Sequence, residues 1–230
     1  MNHDPRTSRG PVPGATTAPG PRRWPALVLL FSFVALMWIV EAADQVLKAA
    51  LGTPGYDGPL DEYGVRPQEG GGLLGIVFQP FLHGDWAHLA NNSIGLLVLG
   101  SIIALSGLRP LVKVTLFSWA IGGLVSWLLG LHGTVHIGAS GIVFGYIFYV
   151  IARGFFSRRF FHIVVGLVIA FYYGVGALAG LSPLQQGISW QGHLGGAVGG
   201  LLAAAGLKRR DRTPRPVDAG SVRWTPGPPR

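Results

Sequence analysis

Residues 137–152 read IGASGIVFGYIFYVIA, an apolar run without a single charge that carries one serine, Ser140, near its start. Crossing the hydrocarbon core takes about 20 residues, so this run is short for a span. Its helix is expected to begin below the membrane surface, with Ser140 in or near the first turn. Five further apolar runs, at 24–43, 87–106, 111–131, 160–181 and 188–207, surround it in the sequence. The chain therefore reads as an all-α, polytopic membrane protein built as a bundle of six transmembrane helices. Composition agrees: 49% of the residues are hydrophobic and only 12% charged, and the charges are crowded into a few stretches. Cysteine is absent, which excludes disulfides, a thiol nucleophile and thiolate metal sites.

Lysine and arginine orient the bundle, because positive residues close to the spans stay in the cytoplasm. With the N-terminus inside, 16 of the 18 basic residues fall on the cytoplasmic side, and only Lys48 and Arg66 fall outside. Seven of the ten acids, Glu41, Asp44, Asp57, Asp61, Glu62, Glu69 and Asp85, lie in or beside the first outer loop. The net charge of +8 is thus an orientation signal with some attraction to anionic headgroups, and nucleic acid is not an expected partner. Residues 1–23 and 208–230 hold five prolines each and are expected to be disordered cytoplasmic tails flanking a core at 24–207. The first span reads as a retained signal anchor. The one long connection, about 44–86, ends in an apolar stretch from Leu73 to Leu82 that is expected to dip into the outer leaflet.

The topology brings the chemistry together. Counting crossings from an inside N-terminus, the second, fourth and sixth spans all begin at the outer face. Their N-terminal ends carry His88 and Asn92, then Ser140, then His193. At 1.5 Å per residue His193 lies roughly 8 Å below the start of its run, a depth at which it can meet Ser140. A serine needs a base to act as a nucleophile, and histidine is the usual one. Glycine pairs four residues apart, Gly141 with Gly145, Gly195 with Gly199 and Gly196 with Gly200, allow the close helix approach that a short serine side chain requires.

With these residues in place the chain resembles the rhomboid intramembrane serine proteases. The resemblance covers residues 24–207: six spans, the long first outer loop, His88-Leu89-Ala90-Asn91-Asn92, Gly138-Ala139-Ser140-Gly141, and His193 followed by glycine-rich packing. It implies a catalytic dyad of Ser140 and His193, with His88 and Asn92 helping to hold the oxyanion and Gly138 and Gly141 in support. It implies no cofactor and no metal, transmembrane protein substrates cut near their outer ends, and residence in the plasma membrane of a bacterium. The fifth span would be the moving gate. Asn92 follows His88 by one helical turn, so both can point donors at one spot, and the N–H of Ser140 near a helix start is free to join them. Where many members have a tyrosine four residues after the serine, this chain has Phe144, which keeps a ring face for the imidazole but no hydroxyl. A Trp-Arg pair found in the first outer loop of some members is missing, and Tyr63-Gly64-Val65-Arg66 is no evident substitute.

Other readings fit the residues less well. Asp85 is three residues from His88, not near His193, and reads as polarity at a helix start rather than a triad member. No glutamate adjoins a histidine as a zinc protease motif requires. A transporter would place polar groups through both leaflets, whereas these stop in the outer half. An inactive rhomboid-like client binder would have no need of both Ser140 and His193.

Overall fold

The computed structural model describes residues 23–52, 58–157, 159–185 and 187–211, with the backbone alone for 207–211. The tails expected at 1–23 and 208–230 lie outside the described residues except at their inner edges, Arg23 and residues 208–211. The backbone of 208–211 continues α7 where a disordered tail was expected, because the helix runs on past the apolar run. Six long helices run through the described chain: α1 (Trp24–Leu51), α3 (Trp86–Ala104), α4 (Leu108–Leu129), α5 (Ser140–Ser157), α6 (Phe160–Gly180) and α7 (Trp190–Asp211), with a single-turn helix α2 (Gly75–Phe78) in the first outer loop. Each answers to one of the six apolar runs. Among the described residues, α1, α3, α4, α5 and α6 are long and apolar enough to cross a membrane. The protein is a multi-pass integral membrane protein.

The sixth run differs from the others in a way that explains its composition. α7 is 22 residues long, about 33 Å at 1.5 Å per residue, so its length is ample. It is wedged between α4 and α5, however, and among its described side chains shows the surroundings a narrow stripe of Leu194, Val198, Leu201, Leu202 and Ala205. Glycine and alanine fill most of the buried faces. A β-carbon at Gly196 or Gly200 would overlap the carbonyl of Gly141 or Gly145 on α5, and one at Gly195 or Gly199 would crowd Ile121 or Phe117 on α4. One row of glycines thus faces each neighbour, and the helix trades apolar side chains for backbone contact.

α1 does not end near Ala43 as its sequence suggests but continues to Leu51, where Gly52 closes it in the left-handed conformation (φ 62°) with its N–H on the Lys48 carbonyl. The reason lies in where its acids point. Glu41 and Asp44 are buried: Gln45 Nε2 donates to Glu41 Oε1 at 2.8 Å, and the Leu60 N–H donates to Asp44 Oδ1 at 2.6 Å. Asp44 ties the helix to the returning loop and Glu41 is held within the helix itself, so neither marks a boundary with water.

The first outer loop is pinned at several points. Trp119 and Trp127 on α4 donate their indole N–H groups to the carbonyls of Ile76 and Glu69. Val65, fully buried, makes an antiparallel bridge with His136, each N–H donating to the other's carbonyl at 2.9 Å. Tyr63-Gly64-Val65-Arg66 is therefore where the loop grips the segment leading into Ser140. Arg66 turns back on its own loop, 3.0 Å from Glu69. Beyond it Leu74, Val77 and Phe78 face outward, an apolar surface suited to lipid.

Candidate active site

Gly138 decides how the residues before α5 approach α3. Its φ of +100° is a conformation that side-chain-bearing residues avoid, and its N–H donates to the carbonyl of Gln79 at 2.8 Å. A β-carbon there would stand 2.6 Å from His88 Nε2 and 3.3 Å from Asn92 Nδ2. Glycine alone lets the backbone slide under those two side chains. Two residues later Ser140 opens α5, so its N–H has no acceptor within the helix.

His193 lies in the first turn of α7 and is buried. Its Nδ1 is 2.8 Å from the Gly180 carbonyl, the last residue of α6. A carbonyl oxygen only accepts, so Nδ1 carries the proton and Nε2 is left with its lone pair. Nε2 lies 2.8 Å from Ser140 Oγ, which makes the serine hydroxyl the donor. The Phe144 ring stacks on the imidazole with centroids 3.9 Å apart and planes 7° apart. The imidazole is thereby held on three sides: hydroxyl, carbonyl and ring face.

On α3, Asp85 is the N-cap. Its backbone is extended and Oδ1 accepts from the His88 N–H at 2.8 Å, which employs the one nearby carboxylate in starting the helix that carries His88 and Asn92. Asn92 is buried, and its Nδ2 donor has no hydrogen-bond partner. An orphaned buried amide facing Gly138 is unusual and leaves a donor unspent against the backbone two residues before the serine. His83 is fully buried with its ring edge-on to that of His88 at 5.0 Å. Burial, reinforced by neighbouring His88, pushes His83 down to about 3, so it is neutral.

The structure brings together Ser140, His193, His88, Asn92, Gly138, Gly141 and Phe144, all of which the sequence singles out. Matching residues 70–210, the model of the Rhomboid domain covers α3 to α7 and the second half of the outer loop. The chain belongs to the rhomboid family. Two uncharacterized relatives, from Mycobacterium tuberculosis (strain ATCC 25618 / H37Rv) and Mycobacterium bovis, are each 40% identical over 225 residues, spanning 94% of this rhomboid chain and 90% of their own. An uncharacterized protein of Mycobacterium leprae is 40% identical over 203 residues, 84% of this chain and 76% of its own. Rhomboid proteins are a family of intramembrane serine proteases.

Several residues of this rhomboid site escape sequence reasoning. Gly180 contributes only a carbonyl, which no side chain announces. Ser189, just before α7, bonds His136 Nδ1 at 2.6 Å and lies 3.4 Å from Ser126 Oγ; His136 Nε2 is 3.1 Å from Thr134 Oγ1. Burial lowers His136 below the ordinary histidine range. Ser189 also lines a small cavity behind Ser140 with Gln79 and Ser118. Serines in membrane helices usually bond their own backbone, so nothing in the sequence distinguishes these.

Proposed function

We propose that this rhomboid protein is an endopeptidase that cuts transmembrane segments of other membrane proteins with a Ser140–His193 dyad. The observation that carries the proposal is the tautomer: with Nδ1–H committed to Gly180, Nε2 is aimed at Ser140 Oγ as a base. In the proposed reaction Ser140 Oγ attacks the scissile carbonyl as His193 Nε2 takes its proton. The oxyanion is met by the Ser140 N–H, by Asn92 Nδ2 and by His88. The Gly180 carbonyl faces the imidazolium that forms and does the orienting that a carboxylate does in a triad. His193 then protonates the leaving amine, and a water admitted from the outer face, giving its proton to His193, hydrolyses the acyl-enzyme. The substrate must unwind locally, since a helix keeps its carbonyls in hydrogen bonds.

The distribution of arginine and lysine supports an orientation with both termini cytoplasmic and the site near the outer face of a bacterial plasma membrane. The core would span 24–207 between two tails. α6, whose buried residues are only Gly166, Ile169, Ala177 and Gly180, is the wall proposed to move for substrate entry.

The test is cleavage of a generic transmembrane substrate by purified protein in detergent. Ser140→Ala and His193→Ala should each abolish it with folding retained, and the double variant should be no worse than either. A fluorophosphonate probe should label the wild type and not Ser140→Ala. Appreciable turnover by Ser140→Ala would remove the dyad.

A further inference from the structure

The end of the bundle opposite Ser140 holds a cavity of about 330 Å³ that the proteolytic reading does not use. It forms because α3 and α6 both pack against α5 without packing extensively on each other, leaving a groove over the last turns of α5. Arg153 stands on its floor, 13 residues and thus about 20 Å of helix away from Ser140. Its Nη1 donates to Ser106 Oγ at 2.6 Å and to the Tyr149 hydroxyl at 3.2 Å, and the guanidinium lies over the Tyr149 ring. Arg23 and His162 complete the polar lining.

Arg153 is half-buried, and the two groups it bonds, the hydroxyls of Ser106 and Tyr149, are neutral. The carboxylates whose side chains are described, Glu41, Asp44, Asp61, Glu62, Glu69 and Asp85, all lie on the far half of α1 or in the outer loop and its end. A guanidinium drawn partly out of water, steered by two hydroxyls and sharing its cavity with a second arginine, is built for an anion, and its planar fork suits phosphate. The rest of the lining is apolar, with Ile102 and Val165 on the walls and Phe161 exposed at the rim. Free phosphate has no use for such walls, whereas a lipid sets acyl chains against them.

We propose that this groove binds the phosphate of an anionic phospholipid headgroup, gripped by Arg153 and Arg23, with the acyl chains laid along α3 and α6. The probes are phosphatidylglycerol, phosphatidylcholine and inorganic phosphate, added to delipidated full-length protein in a neutral detergent. Lipid retention is counted by native mass spectrometry, and the shift in thermal midpoint is titrated alongside. Phosphatidylglycerol should be retained at one tight site with a saturable rise in midpoint, and phosphatidylcholine should do neither. Arg23→Gln and Arg153→Gln should each weaken phosphatidylglycerol by about 10-fold, the loss of one charge-assisted contact. Since Arg153→Gln also frees Ser106 and Tyr149, Arg23→Gln carries the decision should Arg153→Gln fold poorly. Equal retention of the two lipids, or wild-type retention by Arg23→Gln, overturns the site. Protection by inorganic phosphate alone, equal to that by phosphatidylglycerol, overturns the lipid as its source.

Discussion

α7 and α6 flank the same helix, α5, and supply the two halves of one hydrogen-bonded histidine, yet they are built in opposite ways. α7 meets α5 and α4 backbone to backbone through Gly195, Gly196, Gly199 and Gly200. α6 presents most of its side chains outward, with Phe171, Tyr172, Val175 and Leu178 all more than 70% exposed, and has open space around Gly174 and Gly176. The difference separates two demands. On the proposed reading the serine and histidine must be held to a few tenths of an ångström, which interlocked backbones do well, whereas a wall proposed to admit substrate must be able to part from its neighbour. Gly180 is where the demands meet, because it belongs to α6 and yet orients His193.

The contrast breaks most decisively at Gly196. Gly196→Ala puts a methyl into the Gly141 carbonyl, where only backbone could yield, and should destabilise the fold by about 1–3 kcal/mol while moving Ser140 from His193, with most activity lost. Thermal unfolding and cleavage of the same sample would show it. Wild-type stability and turnover would mean that the seam is looser than its geometry.

Smaller, and confined to rate, is the effect of Asn92→Ala. Removing an oxyanion donor costs about 10²- to 10³-fold in favourable cases, and because other donors remain a drop of at least about 10-fold in kcat is expected, with KM little changed. A change in KM alone would reassign Asn92 to substrate binding.

Phe144 and Gly180 sharpen the account of how His193 is held. Phe144→Ala should lose several-fold activity by freeing the imidazole, and Phe144→Tyr should be nearly silent, because the ring face is what stacks. In α6 itself, Gly180→Ala should impair cleavage, since its methyl would meet Phe144 and stand 3.2 Å from His193 Nδ1. Gly174→Ala, with nothing within reach, should leave activity unchanged and favour the helix by up to about 1 kcal/mol. Equal effects of the two would dissolve the distinction between the end of α6 and its length.

Acid should act mildly through His83. Folding holds its pKa near 3 against an ordinary value of about 6.5, so below about pH 6.5 the unfolded chain takes up a proton that the folded chain refuses. Stability from this source is complete above that pH and declines as pH falls towards 3. The thermal midpoint should therefore be lower at about pH 4.5 than at about pH 7.5. His83→Gln should narrow the gap without closing it, because His136 is displaced in the same direction. An unchanged gap would assign the acid sensitivity to other groups.

The sequence by itself determined what is periodic or chemically singular: six segments able to run as helices, the uneven distribution of arginine and lysine, and one serine and one histidine at matching depth on helices that begin at the same face. Glycines four apart announced which helices could come close. Only the tertiary structure decided how far α1 runs, because Glu41 and Asp44 look like a boundary until their partners at Gln45 and Leu60 are known. It also decided that Val65 pairs with His136, that Gly138 lies under His88 and Asn92, and that the Gly180 carbonyl accepts from His193 Nδ1. The physical reason is common to all of these: they depend on backbone groups or on partners remote in the chain. Every residue carries the same N–H and C=O, so which of them meet is settled by packing and leaves no mark in the amino-acid pattern.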